Sequence, residues 1–529
     1  MIRKTLLIYA LYFIGLSCYG QTKESVIPSS VVKEYAERFN QTDDELFVQL
    51  FPDSEAAGFL EKNIPRFECP DKELEEIYYF RWWTFRKHIK QTPDGYIITE
   101  FLPDVPWSGK YNGISCPAMH HYNEGRWLHN REYLDSYAHY WLRGGGSLRS
   151  YSFPIAHALY NYYLVTNDDS LIKEFLPDLI KNFEAWEKER YDAQKGLFWQ
   201  DDGKDGMEVS ICGKETAEGY RVTINSYMIA EAKTIAAIAK RFGNPAGEVF
   251  EKKAEALQAN MLKSLWDKEA LFFKVIPRKD GAGLCDAREL HGYTPWCFNL
   301  AGKEYAAAWK FLMNPEHFYA PYGPTTAEQC HAGFAISYEG HECQWNGPSW
   351  PFATSVTLTG LANLLNNQKQ DVISKKDYFD LLKIYAKSHH LTKEDGTVVP
   401  WIDENLNPFT GDWIARTRLK TWKDGTWSKE KGGVERGKDY NHSTFCDLVI
   451  TGLVGLRPQE GNKLTVNPLV PDTWDYFCID SLVYKGRKLT VLYDKDGNKY
   501  KKGKGLMLFV DGKLKEKRNA LGSIHVNLF

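Results

Sequence analysis

The sequence has no long apolar segment after its first twenty residues and no excess of basic residues. A helix that crosses a bilayer needs roughly 18 or more apolar, uncharged residues, and no later stretch has them, so we expect no membrane span. The 66 Lys and Arg residues stand against 69 Asp and Glu, which gives a net charge of −3. Because nucleic-acid binding rests on a basic surface that neutralises phosphates, we also expect no nucleic-acid partner.

Motifs that bind cofactors and metals are missing as well. The sequence contains no HExxH motif, no P-loop and no glycine fingerprint for a dinucleotide, so we predict no cofactor and no metal. The ten cysteines include no CxxC pair. We favour buried free thiols, which pack as small hydrophobic side chains, over a disulfide framework.

The first twenty residues have the pattern of a secretory signal peptide. Two basic residues precede an apolar run over residues 6–16, and Cys18 and Gly20 place small side chains at the −3 and −1 positions of a cleavage site. We therefore expect export to the periplasm or the cell surface. A lipid anchor on Cys18 is the alternative, and we favour simple cleavage because Gly15 stands where a lipobox has leucine.

The pattern of apolar residues divides the rest of the chain into three parts. Residues 21–70 mix polar and apolar residues with several prolines, and we interpret them as a lead-in segment. Residues 71–455 have mainly helical spacing, with loops rich in glycine and tryptophan, which predicts paired helices arranged as an (α/α)6 toroid. Residues 456–529 alternate polar and apolar residues between turns such as Asp496-Gly497, which predicts a small antiparallel β domain.

The helical and strand-like segments can be assigned individually. The helical segments are residues 71–90, 131–142, 152–166, 170–190, 222–242, 246–266, 302–313, 350–366, 375–390 and 442–454. The strand-like segments are residues 463–469, 476–484, 488–494 and 506–512. Because functional residues commonly lie on loops carried by rigid elements, we expect the loops at one end of the toroid to form a cup that holds the site.

Two stretches in different halves of the chain combine carboxylates with tryptophan. They are WQDDGKDGMEVS (199–210) and WIDENLNPFTGDW (401–413). A glycosidase needs one acid to protonate the leaving oxygen, one base to activate water, and aromatic faces that bind sugar rings. The leading hypothesis is therefore an exported glycoside hydrolase.

Glu208 is the candidate general acid in the first stretch. It precedes a strongly amphipathic helical pattern, which places the carboxylate on a loop before an inner helix, where burial raises a pKa. Asp205 is the reserve candidate. A solvated turn or a calcium loop is the alternative, although Gly203 and Cys212 break the EF-hand pattern.

Glu404 is the candidate general base in the second stretch. A base that holds water on the far side of the sugar from the acid must come from a distant segment, and Glu404 meets this condition. An acidic loop that caps a helix is the alternative. A third stretch, HECQWNGPSWPFATS (341–355), contains Glu342, a reserve candidate for either carboxylate role.

Further residues around these stretches are candidates for sugar contacts. They are Trp199, Asp202, Gln344, Trp345, Asn346, Trp350, Trp401, Asp403, Trp413, Arg416, His121, Trp127 and Asn225. Arg416, Arg418 and Lys420 are suited to pairing with a uronate or sulfate on the substrate, with a solvated basic rim as the alternative. Residues 420–440, which include Trp422 and Trp427, are interpreted as a mobile lid.

The three stretches, in this order, resemble the inverting glycosidases of the (α/α)6 clan that includes trehalases, processing α-glucosidase I and mannosylglycerate hydrolase-like enzymes. DGMEVS is similar to the loop that supplies the acid in that group, QWNGPSWP to its middle motif, and ENLNPFTGD to the loop that supplies the base. The resemblance covers about residues 70–455. It implies a six-hairpin toroid, Glu208 as acid, Glu404 as base, and inversion at the anomeric carbon.

The sequence also departs from the pattern of this group. Glu208 stands where the group has Asp, Asp412 stands where it has a second Glu, and ICGKETAEGYR (211–221) replaces the usual tail of the acid loop. The substrate is therefore not implied by the resemblance. The sugar, the anomer, exo or endo action and the oligomeric state do not follow from the sequence.

Three other functions remain open at this point. A polysaccharide lyase could use Tyr440, Asn441, His442 and Arg436, since a lyase needs a Tyr or His base beside a uronate neutralised by Asn or Arg. A phosphorylase could use the same scaffold with inorganic phosphate. A glycan-binding protein without activity could bind sugar through the tryptophans alone.

Overall fold

The computed structural model describes residues 25–213, 217–421 and 432–528. The predicted signal peptide with Cys18, and the lid tryptophans Trp422 and Trp427, lie outside these residues. Among the helices that are described, none has both the length and the apolar character needed to cross a membrane.

Helices are the main regular secondary structure of the chain. The α-helices are α1 (Ser29–Asn40), α2 (Asp53–Asn63), α3 (Lys72–Lys87), α4 (Ala118–Gly125), α5 (Glu132–Leu142), α6 (Ile155–Thr166), α7 (Ser170–Arg190), α8 (Val222–Arg241), α9 (Ala246–Leu265), α10 (Thr294–Cys297), α11 (Pro351–Asn367), α12 (Lys375–Ser388) and α13 (Ile414–Thr421). The 3-10 helices cover Lys110–Asn112, Gly203–Asp205, Leu290–Tyr293, Lys303–Phe311 and Val434–Gly437, and a π-helix covers Leu448–Leu453.

The helices form two concentric rings, which confirms the predicted toroid. Helices α4, α6, α8, α10 and α11 and the π-helix pack side by side as the inner ring. The ring closes where the Glu124 carboxylate, near the end of α4, accepts hydrogen bonds from the backbone N–H groups of Cys446 and Asp447, at 2.9 and 2.7 Å. Helices α3, α5, α7, α9 and α12 and the 3-10 helix Lys303–Phe311 alternate with them along the chain as the outer ring.

Burial explains why the sequence pattern does not reveal the short inner helix α4. All eight residues of α4 are buried, so this inner helix has no polar face and its spacing was not predicted. The outer helix α12 has a polar face and begins with a capping box between Ser374 and Asp377, and it was predicted. The predicted helix over residues 302–313 is a 3-10 helix, and the one over 442–454 is largely a π-helix.

The strands are short in the helical part and longer after it. They are β1 (Arg66–Glu68), β2 (Ile89–Thr92), β3 (Gly95–Ile98), β4 (Tyr191–Asp192), β5 (Leu197–Phe198), β6 (Gln200–Asp201), β7 (Glu218–Tyr220), β8 (Trp266–Asp267), β9 (Phe272–Phe273), β10 (Ile276–Pro277), β11 (His390–Thr392), β12 (Val398–Pro400), β13 (Leu456–Arg457), β14 (Lys463–Val466), β15 (Tyr476–Tyr484), β16 (Arg487–Asp494), β17 (Gly505–Val510), β18 (Lys513–Arg518) and β19 (Ile524–Asn527).

The C-terminal strands form the predicted antiparallel β domain. One sheet has the order β1-β15-β16-β17-β18, and a smaller sheet has the order β13-β14-β19. Strand β1 comes from the lead-in segment and pairs with β15, with Phe67 opposite Ile479. The lead-in segment therefore contributes both to the helical part, through α1 and α2 packed on α3, and to the C-terminal sheet.

The cysteines follow the predicted pattern of buried free thiols in part. Cys212 and Cys285 form a disulfide, so the prediction of free thiols is wrong for this pair. The other seven cysteines of the described residues are free, and four of them are buried. The disulfide joins the loop after Glu208 to the segment after β10, two regions that only the folded chain brings together.

Candidate active site

Backbone hydrogen bonds join the three motif stretches into one surface. The N–H of Trp345 donates to the Val209 carbonyl at 3.0 Å, which ties the middle stretch to the acid loop. Leu406 and Ser349 exchange N–H···O bonds of 2.9 and 3.0 Å, which tie the base loop to the middle stretch. The Asn405 side chain also donates to the Glu342 carbonyl at 2.8 Å. The surface lies where α8 and α11 begin.

The acid loop folds through a tight turn before Glu208. Asp202 caps the 3-10 helix Gly203–Asp205, and its carboxylate accepts a hydrogen bond from the Ser210 hydroxyl at 3.1 Å. Gly206 has a left-handed φ of 74°, and a β-carbon there would lie 2.5 Å from the Cys116 sulfur. Only glycine fits this close approach, which positions the residues that follow.

Glu208 lies half-buried in this surface, among other carboxylates. Burial and then the charges of Glu100, Glu404 and Asp202 raise the pKa of Glu208 to about 8. A carboxyl group with this pKa is protonated at neutral pH and can donate its proton. The sequence-based expectation of a raised pKa for Glu208 agrees with this environment.

Glu404 lies in a different environment, because Arg436 binds it. The Nε and Nη2 atoms of Arg436 donate to the two Glu404 oxygens at 2.6 and 3.0 Å, and Nη2 also lies 3.3 Å from a Glu342 oxygen. All three side chains are buried. The bidentate contact fixes Glu404 in an ion pair with Arg436. Nothing in the local sequence of Arg436 marks this pairing.

Glu100 is a third carboxyl group of the site, and the sequence did not reveal it. It follows β3 on the loop after the hairpin, and Tyr440 donates a hydrogen bond of 2.5 Å to its Oε1. Burial and then the charge of Glu404 raise the pKa of Glu100 to about 8. No motif surrounds Glu100 in the sequence, because the contact with residue 440 exists only in the fold.

Asp403 precedes the candidate base and is also buried. Burial and the charge of Glu404 raise the pKa of Asp403 to about 7, against the lowering effect of Arg416. Its Oδ1 accepts the N–H of Glu404 at 2.8 Å, so Asp403 helps to fix the base loop. The neighbouring Trp401 lines a cavity of about 530 Å³ next to the site, where Arg416 lies over its ring at 4.8 Å.

The middle stretch supplies stacked rings and unpaired polar atoms. Trp345 and Trp350 stack with ring centroids 4.6 Å apart. Within the described residues, Gln344 Oε1, Trp345 Nε1 and Asn346 Oδ1 are buried and have no hydrogen-bond partner. A buried polar atom without a hydrogen bond costs free energy. Hydrogen bonds from a sugar or from ordered water would therefore stabilise this part of the site.

Several other predicted contact residues are occupied by protein partners. The guanidinium groups of Arg190 and Arg278 lie over the ring of the half-buried Trp199, at 4.3 and 3.9 Å from its centroid. The buried Trp413 donates to the His390 carbonyl at 2.9 Å. These contacts favour structural roles for both tryptophans, and their contact with a sugar stays a prediction.

Three further predicted contact residues also have protein partners, and their contact with a sugar stays a prediction. The ring nitrogens of the buried His121 contact Tyr137 Oη at 3.0 Å and the Asn441 carbonyl at 2.6 Å. The buried Trp127 donates to Asp447 at 2.6 Å. The side-chain amide of Asn225 donates to the Phe198 carbonyl and accepts its N–H. These side chains join elements of the inner part of the toroid.

The reserve acid and the basic residues are also paired. Asp205 forms a buried ion pair with Arg221 at 2.9 Å and accepts a hydrogen bond from Thr223. Arg416 forms a bidentate ion pair with Glu435, at 2.6 and 2.5 Å. Arg418 donates to the backbone carbonyl of His341. Within the described residues, these contacts favour structural roles for Asp205, Arg416 and Arg418.

Trp107 is an aromatic residue of the site that the sequence did not reveal. Its side chain is 38% exposed, and its ring lies 5.3 Å from the Arg436 guanidinium. An exposed ring beside the candidate base is suited to stack on a sugar. No sequence signal separates Trp107 from the buried tryptophans, since exposure is set by the fold.

Comparisons with known families agree with the predicted resemblance. Residues 110–443 match the family described as mannosylglycerate hydrolase MGH1-like glycoside hydrolase domain. Residues 456–516 match the C-terminal domain of glycosyl hydrolase family 65. The first match falls on the toroid with its three motifs, and the second falls on the β domain.

Solved structures resemble the chain to different degrees. A protein named sialidase is 40% identical over 94% of this chain with a TM-score of 0.86, and the chain spans 44% of that protein's length. The GH78 rhamnosidase of Bacillus sp. GL1 is 12% identical over 81% of this chain and 40% of its own, with a TM-score of 0.54, and it shares the fold alone. The GH63 mannosylglycerate hydrolase from Thermus thermophilus is 14% identical over 70% of this chain and 99% of its own, with a TM-score of 0.40.

Proposed function

Because the chain belongs to the mannosylglycerate hydrolase MGH1-like glycoside hydrolase family, we propose that it cleaves its glycosidic bond with inversion, using Glu208 as general acid and Glu404 as general base. The observation that carries this proposal is the contrast between two carboxyl groups of one site. The pKa of Glu208 is raised to about 8, whereas Arg436 holds Glu404 in an ion pair. Enzymes commonly give one carboxyl group the acid role and another the base role by placing them in different environments.

The proposed reaction has one step. The Glu208 carboxyl group gives its proton to the glycosidic oxygen as the bond from that oxygen to the anomeric carbon breaks. A water molecule attacks the opposite face of that carbon and loses a proton to the Glu404 carboxylate. Glu208 ends ionised and Glu404 ends protonated, and exchange with solvent restores both. Glu342 shares Arg436 with Glu404, so it helps to place the base.

We also infer that the sugar at the cleavage point is neutral. Three basic side chains near the base are Arg416, Arg418 and Arg436, and each has a hydrogen-bond partner in the described part of the chain, either a carboxylate or a backbone carbonyl. Glu404 and Glu342 add negative charge beside them. An acidic sugar such as sialic acid would meet repulsion from these carboxylates and would compete with the protein for the guanidinium groups. The relative named sialidase extends well beyond the region it shares with this chain.

Export is proposed on two grounds. The first twenty residues have the pattern of a signal peptide. The disulfide between Cys212 and Cys285 supports an oxidising compartment, because structural disulfides persist there. Fractionation of the native host and determination of the mature N-terminus test this proposal. A terminus at Gln21 supports simple cleavage, a lipidated Cys18 supports the anchored form, and an intact Met1 in the cytoplasm contradicts export.

The catalytic proposal is tested with a panel of plant and host glycans. Sugar release by wild type is compared with Glu208→Gln and Glu404→Gln, and the first-formed anomer is followed by proton NMR. We expect release in wild type, a product of inverted configuration, and loss of release in both variants. A product of retained configuration contradicts the mechanism, and release that survives in both variants contradicts the assignment of the pair.

The same panel separates the other functions. An unsaturated uronate that absorbs in the ultraviolet would indicate a lyase, and turnover that requires inorganic phosphate would indicate a phosphorylase. Binding without release, unchanged in both variants, would indicate a glycan-binding protein. Paired substrates that differ only in a carboxylate, such as a glucoside and a glucuronide, test the inference that the sugar at the cleavage point is neutral. Faster release from the acidic member contradicts that inference while leaving the mechanism intact.

A further inference from the structure

Three side chains that commonly bind metals meet away from the proposed active site. They are His317, Glu328 and Cys330, on the segment between the outer 3-10 helix and α11. Among the residues that the structure describes, their ligand atoms lie within 4.8 Å of one another. Glu328 is buried, His317 is half-buried and Cys330 is exposed, so the cluster opens to solvent on the cysteine side.

The distances within the cluster match those between ligands of one zinc ion. His317 Nδ1 lies 3.0 Å from Glu328 Oε2, and Cys330 Sγ lies 3.7 Å from each of these two atoms. Tetrahedral zinc with ordinary bond lengths separates nitrogen and oxygen ligands by about 3.4 Å, and sulfur from either by about 3.6 Å. All three separations therefore differ by less than half an ångström from those of a bound ion.

The arrangement does not suit a nucleophilic cysteine. In a Cys-His-Glu relay, the thiol contacts one ring nitrogen and the carboxylate contacts the other. Here both Cys330 and Glu328 face Nδ1 of His317. The three atoms converge on one point, as ligands do, and a proton cannot pass through the ring from one to the other.

The surrounding backbone and Arg288 hold the cluster in place. The N–H of Cys330 donates to the Glu316 carbonyl and the N–H of Gln329 to the His317 carbonyl, both at 2.9 Å. Arg288 donates its backbone N–H to Glu328 Oε1 at 2.8 Å and its Nη1 to Oε2 at 2.7 Å. These contacts orient the carboxylate, as outer groups do around metal ligands, and leave a second lone pair of Oε2 toward the histidine and cysteine.

We propose that His317 Nδ1, Glu328 Oε2 and Cys330 Sγ bind one zinc ion, with water in the fourth position. The thiol loses its proton on binding, so one thiolate and one carboxylate balance the charge of the ion. The ligand set of one nitrogen, one oxygen and one sulfur suits zinc rather than calcium or magnesium, which prefer oxygen alone.

The position of the site links it to the acid loop. The N–H of Glu328 donates to the Arg288 carbonyl at 3.0 Å, in the segment that also carries Glu289. Glu289 in turn accepts the N–H of Ile211 at 2.8 Å, just after the acid loop. An ion that fixes residues 328–330 therefore stiffens the support behind that loop.

Calorimetric titration tests the proposal on the full chain after treatment with a chelator. Zinc chloride is expected to bind with a stoichiometry of one and to raise the melting temperature. Cys330→Ser and His317→Ala are expected to weaken zinc binding about 100-fold or more, given that even outer-shell changes cost 10–100-fold. His331→Ala is the matched control, because this neighbouring histidine pairs with Asp286 instead of joining the cluster.

Cobalt provides a second measurement that does not depend on activity. Cobalt(II) bound to a thiolate gives a charge-transfer band in the near ultraviolet, which is expected in wild type and His331→Ala and absent from Cys330→Ser. Cys330 is exposed, so its replacement by serine leaves folding intact, as circular dichroism can verify. No stoichiometric zinc binding, or equal binding by wild type and Cys330→Ser, overturns the proposal.

Discussion

The raised pKa of Glu208 leads to a quantitative prediction for the dependence of kcat/KM on pH. With a pKa of about 8, the carboxyl group is about 90% protonated at pH 7 and about 10% protonated at pH 9. If it kept the ordinary value of 4.5, only about 0.3% would be protonated at pH 7. We therefore expect kcat/KM to fall about tenfold between pH 7 and pH 9, on a substrate with a poor leaving group.

Glu208→Gln removes the proton donor but keeps the shape of the side chain. General acid catalysis contributes about 10²–10⁴-fold, so we expect a loss of this size when the leaving group needs a proton. A glycosyl fluoride or an aryl glycoside with an acidic phenol needs little protonation, so the loss on such substrates should be much smaller. The decline in kcat/KM above pH 7 should disappear in this variant.

Two matched variants separate Glu208 from the other carboxyl groups. The pKa of Glu231 is also raised to about 8 by burial, but this residue lies within α8 and accepts the N–H of His157. Glu231→Gln should keep both the rate and the decline. Glu100→Gln tests whether the neighbouring carboxyl group with a similar pKa is the one that titrates. A decline that persists in Glu208→Gln, or an equal loss on good and poor leaving groups, refutes the assignment of the acid.

Three other changes test the structure around the site. Arg436→Met leaves the buried carboxylates of Glu342 and Glu404 without a positive partner and should lower the free energy of unfolding by about 3–5 kcal/mol. A double variant that adds Glu342→Gln should recover part of this loss. An unchanged urea midpoint in Arg436→Met would contradict the ion pair. Cys212→Ser opens a loop that the disulfide closes over 73 residues, so it should lower the free energy of unfolding by about 4 kcal/mol on chain-entropy grounds. Wild type treated with a reductant should melt at the same temperature as the variant. A variant as stable as oxidised wild type would contradict this prediction. The pKa of Glu100 is raised from 4.5 to about 8 in the folded chain, so its contribution to stability is complete below pH 4.5 and is lost as the pH rises through 8. Glu100→Gln should therefore raise the melting temperature more at pH 9 than at pH 5. Equal changes in melting temperature at the two pH values would contradict the raised pKa.

The sequence predicted the outer α-helices and the longer inner helices α6, α8 and α11, but it missed the short inner helix α4. Outer helices such as α7 and α12 have a polar and an apolar face, so their spacing revealed them. The inner helix α4 is buried throughout and has no such contrast. Strand β1 is three residues long, and its partner β15 lies hundreds of residues away, so no local pattern indicates the pairing.

The site was predictable where its residues are neighbours in the chain. Glu208 and Glu404 lie within compact motifs, and the fold brings their loops together as expected. Glu100 and Arg436 reach the site from segments without a motif, so only the three-dimensional structure reveals them. Composition cannot tell whether a tryptophan faces a sugar or the protein, and only the fold reveals the two arginines that lie over the Trp199 ring.

The pairing of β1 with β15 has a consequence for how the chain is made. Residues 66–68 leave the ribosome long before their partner strand at residues 476–484. Ile27 depends on the same late segment, because its N–H donates to Asp480 at 3.2 Å. Ile27 and β1 therefore cannot complete these contacts until β15 exists, and contacts so distant in sequence form slowly. A chain shortened at its C-terminus would expose an unpaired edge at its N-terminal end, which favours aggregation.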